Sequence, residues 1–220
     1  IDLNPDHVHL NKELLLTQPA DYFLYSPFDG SPCSEIDIPT TCLPICDYME
    51  HHPLAKLEWI KVIGYLVGKY QQAEEYYQME TKKYLTNIRN ESQDSILFGS
   101  FDGVHFWINS KNSHIHTLIQ NSGHYSVFSE EIGNAPLDRE ALWEKLTQVK
   151  YVILMGSHEQ RTEFILLLKE WNQRWKTQGF YMDTDKTQYF ETGCLHPSLL
   201  LKNLAQLPDP GDGYLEKVTE

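Results

Sequence analysis

Between Ile96 and Glu131 apolar and polar residues alternate with a period of two, in four short runs separated by turn-forming residues. ILFGSF leads into Asp102-Gly103, VHFWIN into Ser110-Lys111-Asn112-Ser113, HIHTLIQ into Asn121-Ser122-Gly123, and HYSVFSEE follows. Alternation of this kind sends successive side chains to opposite faces of a strand. An Asp-Gly pair supplies the positive φ that a tight hairpin turn requires. The pattern predicts an antiparallel four-strand meander over about 96–131, with Phe101 opposite Val104, Gly99 opposite Phe106 and Trp107 opposite His116. Leu97, Phe101, Val104, Phe106, Ile108, Ile115, Ile119, Tyr125 and Val127 would share the core face. His105, Trp107, His114, His116 and His124 would share the other.

Outside this stretch the period lengthens. Pro53 suits the first turn of a helix, and from Leu54 to about Asn87 apolar residues recur at helical spacing. Ile63, Tyr70, Tyr77 and Tyr84 lie seven apart, and Gly68 is a point where so long a helix can break. Leu137–Lys150 reads as an amphipathic helix. Tyr151-Val152-Ile153-Leu154-Met155 reads as a strand buried on both faces. Ser157 and Gln160 form a capping box before a helix carrying Phe164, Leu168 and Trp171. Phe180–Thr192 reads as a second hairpin, and Pro197 opens a last short helix. The expected fold class is α+β: the meander, a long N-terminal helix, and C-terminal helices around the buried strand. Residues 1–52 read as an irregular Pro-rich segment, 53–207 as one domain and 208–220 as a flexible tail.

Composition narrows the partners. The 220 residues carry a formal net charge of −13 and no basic stripe, which argues against a nucleic-acid surface. No apolar run approaches the length of a membrane span, so no membrane insertion is expected. Four cysteines are too few and too unevenly placed for a disulfide scaffold, so a reducing, cytoplasmic setting is expected.

Candidate chemistry comes from three places. His114-Ile115-His116, on one side of a strand, would present two imidazoles beside Trp107. The Tyr-rich helix offers Tyr70 and Tyr77 as contacts. Cys33, Cys42, Cys46 and His51 offer three thiolates and an imidazole, a set able to hold a structural zinc. That spacing resembles a CCCH zinc finger, although the last two intervals differ and the segment is acidic. Gly99–His105 resembles part of the phosphate-binding motif of HxGH-type nucleotidyltransferases. His105 runs on into Phe106-Trp107-Ile108, without the second histidine of that motif, and this excludes the family. Asp6-His7-Val8-His9 echoes the H-x-H of metal hydrolases without the buried strand that positions it, and Ser157-His158-Glu159, at a strand end, could offer an anion a helix N-terminus. No intact catalytic motif is visible. The expected function is a non-enzymatic protein-binding or adaptor module acting through Trp107, His114, His116, Tyr70 and Tyr77, with a protein partner or self-association and no cofactor. The alternative is a metal-dependent hydrolase with His105, His114, His116 and Glu130 as ligands.

Overall fold

The computed structural model describes residues 3–4, 7–8, 13, 17, 20–27, 40–90, 94–130 and 134–218. The chain forms two compact units, Ile1–Met49 and Glu50–Glu220. In the first, β1 (Leu3–Asn4) and β2 (His7–Val8) pair antiparallel, and β3 (Tyr22–Tyr25) and β4 (Thr41–Pro44) pair parallel. A 3-10 turn spans Asp47–Met49.

The second unit opens with two helices rather than one. α1 (Pro53–Leu66) starts at Pro53, and the His52 ring accepts the Leu54 N–H at 3.1 Å to cap it. It ends where Gly68 adopts φ +69, a conformation open to glycine at little cost. α2 (Tyr70–Asn87) then begins. The interruption resets the helical phase, so the seven-residue stripe does not bury as a unit. Tyr84 is fully buried, whereas Tyr70 is half exposed. Glu80 of α2 is also buried, and it accepts hydrogen bonds from the backbone N–H and hydroxyl of Ser198, at the start of the last helix.

The predicted meander is not formed, because its third run is a helix. β5 (Ser95–Phe101) and β6 (Phe106–Ile108) do pair antiparallel, with Phe101 opposite Phe106 and Gly99 opposite Ile108. The connecting loop is therefore four residues long rather than two. His114–Asn121 forms α3. Ser113 caps it by accepting the His116 N–H at 3.1 Å, and Gly123 closes it at φ +87. Asn121-Ser122-Gly123 is thus a helix stop, not a hairpin turn. Ile115, Leu118 and Ile119 are the buried apolar positions, at i, i+3 and i+4, and His116 is buried beside them. The fourth run gives β7 (Tyr125–Val127), which lies parallel to β5.

The remaining elements complete a mixed sheet. β8 (Ala135–Leu137) precedes α4 (Arg139–Leu146), whose cap Asp138 accepts the Ala141 N–H at 2.8 Å. β9 (Tyr151–Gly156) is the buried apolar run, lying parallel to both β5 and β10 (Gln178–Asp183). α5 (Arg161–Trp175) connects β9 to β10. The predicted hairpin over Phe180–Thr192 is instead β10 followed by α6 (Thr184–Thr187) and α7 (Tyr189–Thr192). α8 (Pro197–Ala205) follows. Residues within the expected tail pack against the domain. Tyr214 and Leu215 are buried, and β11 (Glu216–Lys217) pairs antiparallel with β10. The sheet order is β11-β10-β9-β5-β6-β8, with β7 beside the first half of β5.

Helices cover both faces of this sheet. Ile96, Phe98, Ile153, Phe180 and Met182 pack with Tyr84 of α2, Ile115 of α3 and Leu200, Leu201 and Leu204 of α8. Leu97, Val152, Leu154 and Tyr181 point the other way, onto Leu142 and Leu146 of α4 and Phe164, Leu168 and Trp171 of α5. Each large apolar side chain buried this way contributes roughly 1.5–3 kcal/mol. Gly99 permits the close pairing of β5 with β6, since a Cβ there would collide with the Trp107 carbonyl oxygen and the Phe106 ring.

Candidate functional site

β5, β7, β9 and β10 run parallel, so their carboxyl ends lie along one edge of the sheet. In open α/β sheets this is the edge where ligands bind, in the loops that leave the strands. Here three loops converge: 102–105 after β5, 157–160 after β9, and the turn into α6 after β10.

The tightest cluster joins the last two. β10 ends on Asp183, which is buried, and the loop after β9 carries His158, whose side chain is 68% exposed. His158 Nδ1 lies 2.6 Å from Asp183 Oδ2. The His158 backbone N–H donates to Asp185 Oδ2 at 2.8 Å, and the Lys186 N–H donates to Asp183 Oδ1 at 2.9 Å. Thr184 Oγ1 donates to the Gly156 carbonyl at 3.1 Å and ties the two loops together. Burial alone would push the Asp183 carboxyl up. The Lys186 N–H, the His158 ring and the Asp185 backbone outweigh it and hold the group below the usual carboxylate range. An ionised Asp183 only accepts, so His158 Nδ1 donates to it and Nε2 is the nitrogen left available to a ligand. The result is an exposed imidazole fixed in tautomer and orientation by a buried carboxylate, the support that metal-ligating histidines commonly receive.

The loop after β5 is organised by Asp102. Its Oδ1 accepts the Val104 and His105 N–H groups at 2.8 and 2.7 Å, and its Oδ2 accepts the Trp107 indole N–H at 2.7 Å. These three donors, His105 first, hold its carboxyl down at about 2. The loop displays Val104, 73% exposed, with His105 and Trp107 edge to face at 6.4 Å. Phe190 in α7, 71% exposed, adds an uncovered ring to the connection after β10. Arg161, in the first turn of α5, is paired with Glu216 of β11 and closes the outer end of the edge.

The residues expected to form a site are mostly elsewhere. His114 and His116 lie two apart on a helix, not on one side of a strand, so they diverge. His114 Nε2 is 3.5 Å from the Tyr189 hydroxyl, and burial, with Lys56 adding to it, pushes its pKa down to about 3. His116 is buried edge-on against Phe128 at 4.7 Å, and burial lowers its pKa as well. Tyr70 reaches Glu74, and Tyr77 lies under the Lys61 ammonium at 3.7 Å; both sit on α2. Of the expected site residues, Trp107 and His105 lie at the carboxyl edge, at the loop after β5, and His158 of the strand-end Ser157-His158-Glu159 lies there in the loop after β9. Of the proposed zinc set, Cys33 lies outside the described residues, Cys42 is disulfide-bonded and so has no thiolate to offer, and Cys46 is free. The His51 backbone carbonyl accepts from Thr117 Oγ1 at 3.0 Å. Of Asp6–His9, only the backbone of His7-Val8 is described. No group of three or more His, Cys, Asp or Glu able to hold a metal ion occurs among the described residues. Asp183 and Asp185 went unnoticed because GFYMDTDKT reads equally as a hairpin turn. The usable signal was a second buried strand ending on an acid, beside one ending on Gly156-Ser157-His158.

No protein-family model matches the chain. A curated relative, an uncharacterized lipoprotein of Methanocaldococcus jannaschii, is 20% identical over 213 residues, covering 90% of this chain and 50% of its own length. The chain thus spans about half the length of that relative. Among solved structures, a possible iron-binding, periplasmic solute-binding protein from Staphylococcus epidermidis superposes with a TM-score of 0.68 at 13% identity, over 90% of this chain and 79% of its own. An ABC transporter substrate-binding protein from Listeria monocytogenes gives 0.67 at 13%, over 89% and 79%. A periplasmic heme-binding protein from Pseudomonas aeruginosa gives 0.66 at 15%, over 96% and 82%. The fold is therefore the mixed, helix-flanked sheet of these solute-binding proteins, not a four-strand meander. This likeness overturns the expected adaptor module and the alternative metal-dependent hydrolase, and the histidine-bearing meander face on which the hydrolase rested is not formed. It overturns the expected cytoplasmic setting too, since the structural relatives named are periplasmic or transport proteins and the sequence relative is a lipoprotein. The disulfide at Cys42 points the same way. Among the described residues, no helix is long and apolar enough to cross a membrane.

Proposed function

We propose that this chain is the solute-binding part of an extracytoplasmic uptake protein and that it binds its solute at the carboxyl edge of the sheet. The single observation that carries this reading is His158, exposed at that edge and locked by buried Asp183. The names of the structural relatives, iron-binding and heme-binding among them, favour a solute that carries a metal. An imidazole held at Nδ1 by a buried carboxylate suits such a solute, because histidine is a common metal ligand and metal-ligating histidines are commonly oriented in this way. A lone histidine serves a metal already held by an organic chelator better than a bare ion, which needs several protein ligands. Val104, Trp107 and Phe190 supply apolar and aromatic surface for the organic part. The partner of such a protein is a membrane permease that accepts the solute.

The test is a titration of the purified protein with hemin, ferric siderophore and cobalamin, followed by Trp quenching and by the ligand's visible spectrum. The expected result is saturable binding of one of the three, weakened at least tenfold in His158→Ala, which costs about 1.4 kcal/mol of binding. Absence of binding by all three, or unchanged affinity in His158→Ala, would overturn the reading.

A further inference from the structure

On the helix layer that carries α4 and α5, two arginines are held against two tryptophans. The Arg139 guanidinium lies 5.0 Å from the Trp143 ring centre. Arg174 lies 4.9 Å from Trp143 and 4.7 Å from Trp175, and the two indoles are 6.2 Å apart at 39°. Both arginines are exposed. Among the described residues neither forms an ion pair or a hydrogen bond, so each guanidinium is held near an indole and carries no anion there. The same two helices expose Glu140, Glu144 and Glu170, which also lack ion pairs among the described residues. Glu170 and Arg174 are even spaced for an intrahelical pair, yet Arg174 turns to the indoles instead.

We infer that this face binds the same face of a second copy of the chain in a two-fold contact. A two-fold contact matches each residue with its complement on the partner, so a patch holding unfilled cations and unfilled carboxylates together is complementary to itself. Long-range charge agrees. The chain carries a net −13, but α4 and α5 together hold five basic and four acidic residues. This layer is one through which two such acidic molecules approach without local repulsion. Half-buried Trp beside Arg is also the composition that dominates interface energetics. Placement fits as well. α5 leaves the carboxyl end of β9 and returns to the amino end of β10, so Arg174 and Trp175 lie at the amino edge of the sheet. A contact there leaves the His158 edge open.

Sedimentation velocity across a concentration series, at low and at 0.5 M salt, tests this. The expected result is a monomer–dimer equilibrium that shifts towards monomer in salt. A chain with Arg139→Glu and Arg174→Glu stays monomeric, as does a chain with Glu140→Arg, Glu144→Arg and Glu170→Arg, and an equimolar mixture of the two forms a heterodimer. That heterodimer also shows that both variants are folded. A wild-type chain that remains monomeric throughout, or a dimer that persists with both arginines reversed, would overturn the inference.

Discussion

Two histidine-bearing regions of this molecule make a useful contrast. On α3, His114 and His116 stand close in sequence, yet among the described residues neither has a carboxylate at hydrogen-bond distance, and burial drives each towards its neutral form. At the carboxyl edge, His158 stands alone in sequence, yet it meets Asp183 from a strand 25 residues away and turns its other nitrogen to solvent. Density of a residue type along the chain therefore says little about its use. What decides is the group that orients the side chain, and that group arrives through the topology.

The contrast can be broken at its strongest point. Asp183→Ala should remove the partner of His158 and of the Lys186 N–H at once, at a cost of about 2–4 kcal/mol of stability from the broken buried network. Chemical denaturation would read this as a lower midpoint, with solute affinity lost in parallel. Next in size, His158→Ala should separate the two roles: solute affinity falls at least tenfold while the denaturation midpoint stays within about 0.5 kcal/mol of wild type, as expected for an exposed side chain. His114 sharpens the other side. Its folded pKa of about 3 lies below the unfolded value of 6.5, so the unfolded chain binds more protons between those values. Stability should therefore be intact above pH 6.5 and fall as pH drops from 6.5 towards 3. His114→Gln should flatten that slope, as followed by urea midpoints at pH 7 and pH 5. The smallest effect is expected at Asp102, whose exposed carboxylate gathers the β5–β6 loop. Asp102→Ala should free the Trp107 indole and shift tryptophan emission to the red without a resolvable change in the denaturation midpoint.

How far the sequence carried depended on whether local pattern and tertiary role agreed. Tyr151–Met155 was legible as a doubly buried strand because an unbroken apolar run of that length has few other uses, and it is the parallel centre of the sheet. Ser113–Gly123 was misread because HIHTLIQ satisfies two periods. Ile115 and Ile119 fit alternation as well as they fit a helix turn, and only Leu118, with the Ser113 cap and the Gly123 stop, distinguishes them. The parallel arrangement itself was out of reach, since it is set by which helices cross over and not by any one segment. Asp183 was illegible for the same reason. Its partner is fixed by the pairing of β9 with β10, a relation between strands that no local pattern records.

Glu80 has a consequence of another kind. Its carboxylate joins α2 to the start of α8 across 118 residues of chain, in a place shielded from water. α2 cannot separate from α8, whose Leu200, Leu201 and Leu204 pack on the sheet, without breaking these buried hydrogen bonds and leaving the Ser198 N–H without its partner. Amide hydrogens in α2 and in the central strands should therefore exchange through a single opening event of similar free energy, making the helices and the sheet one cooperative unit rather than a core with an appended arm.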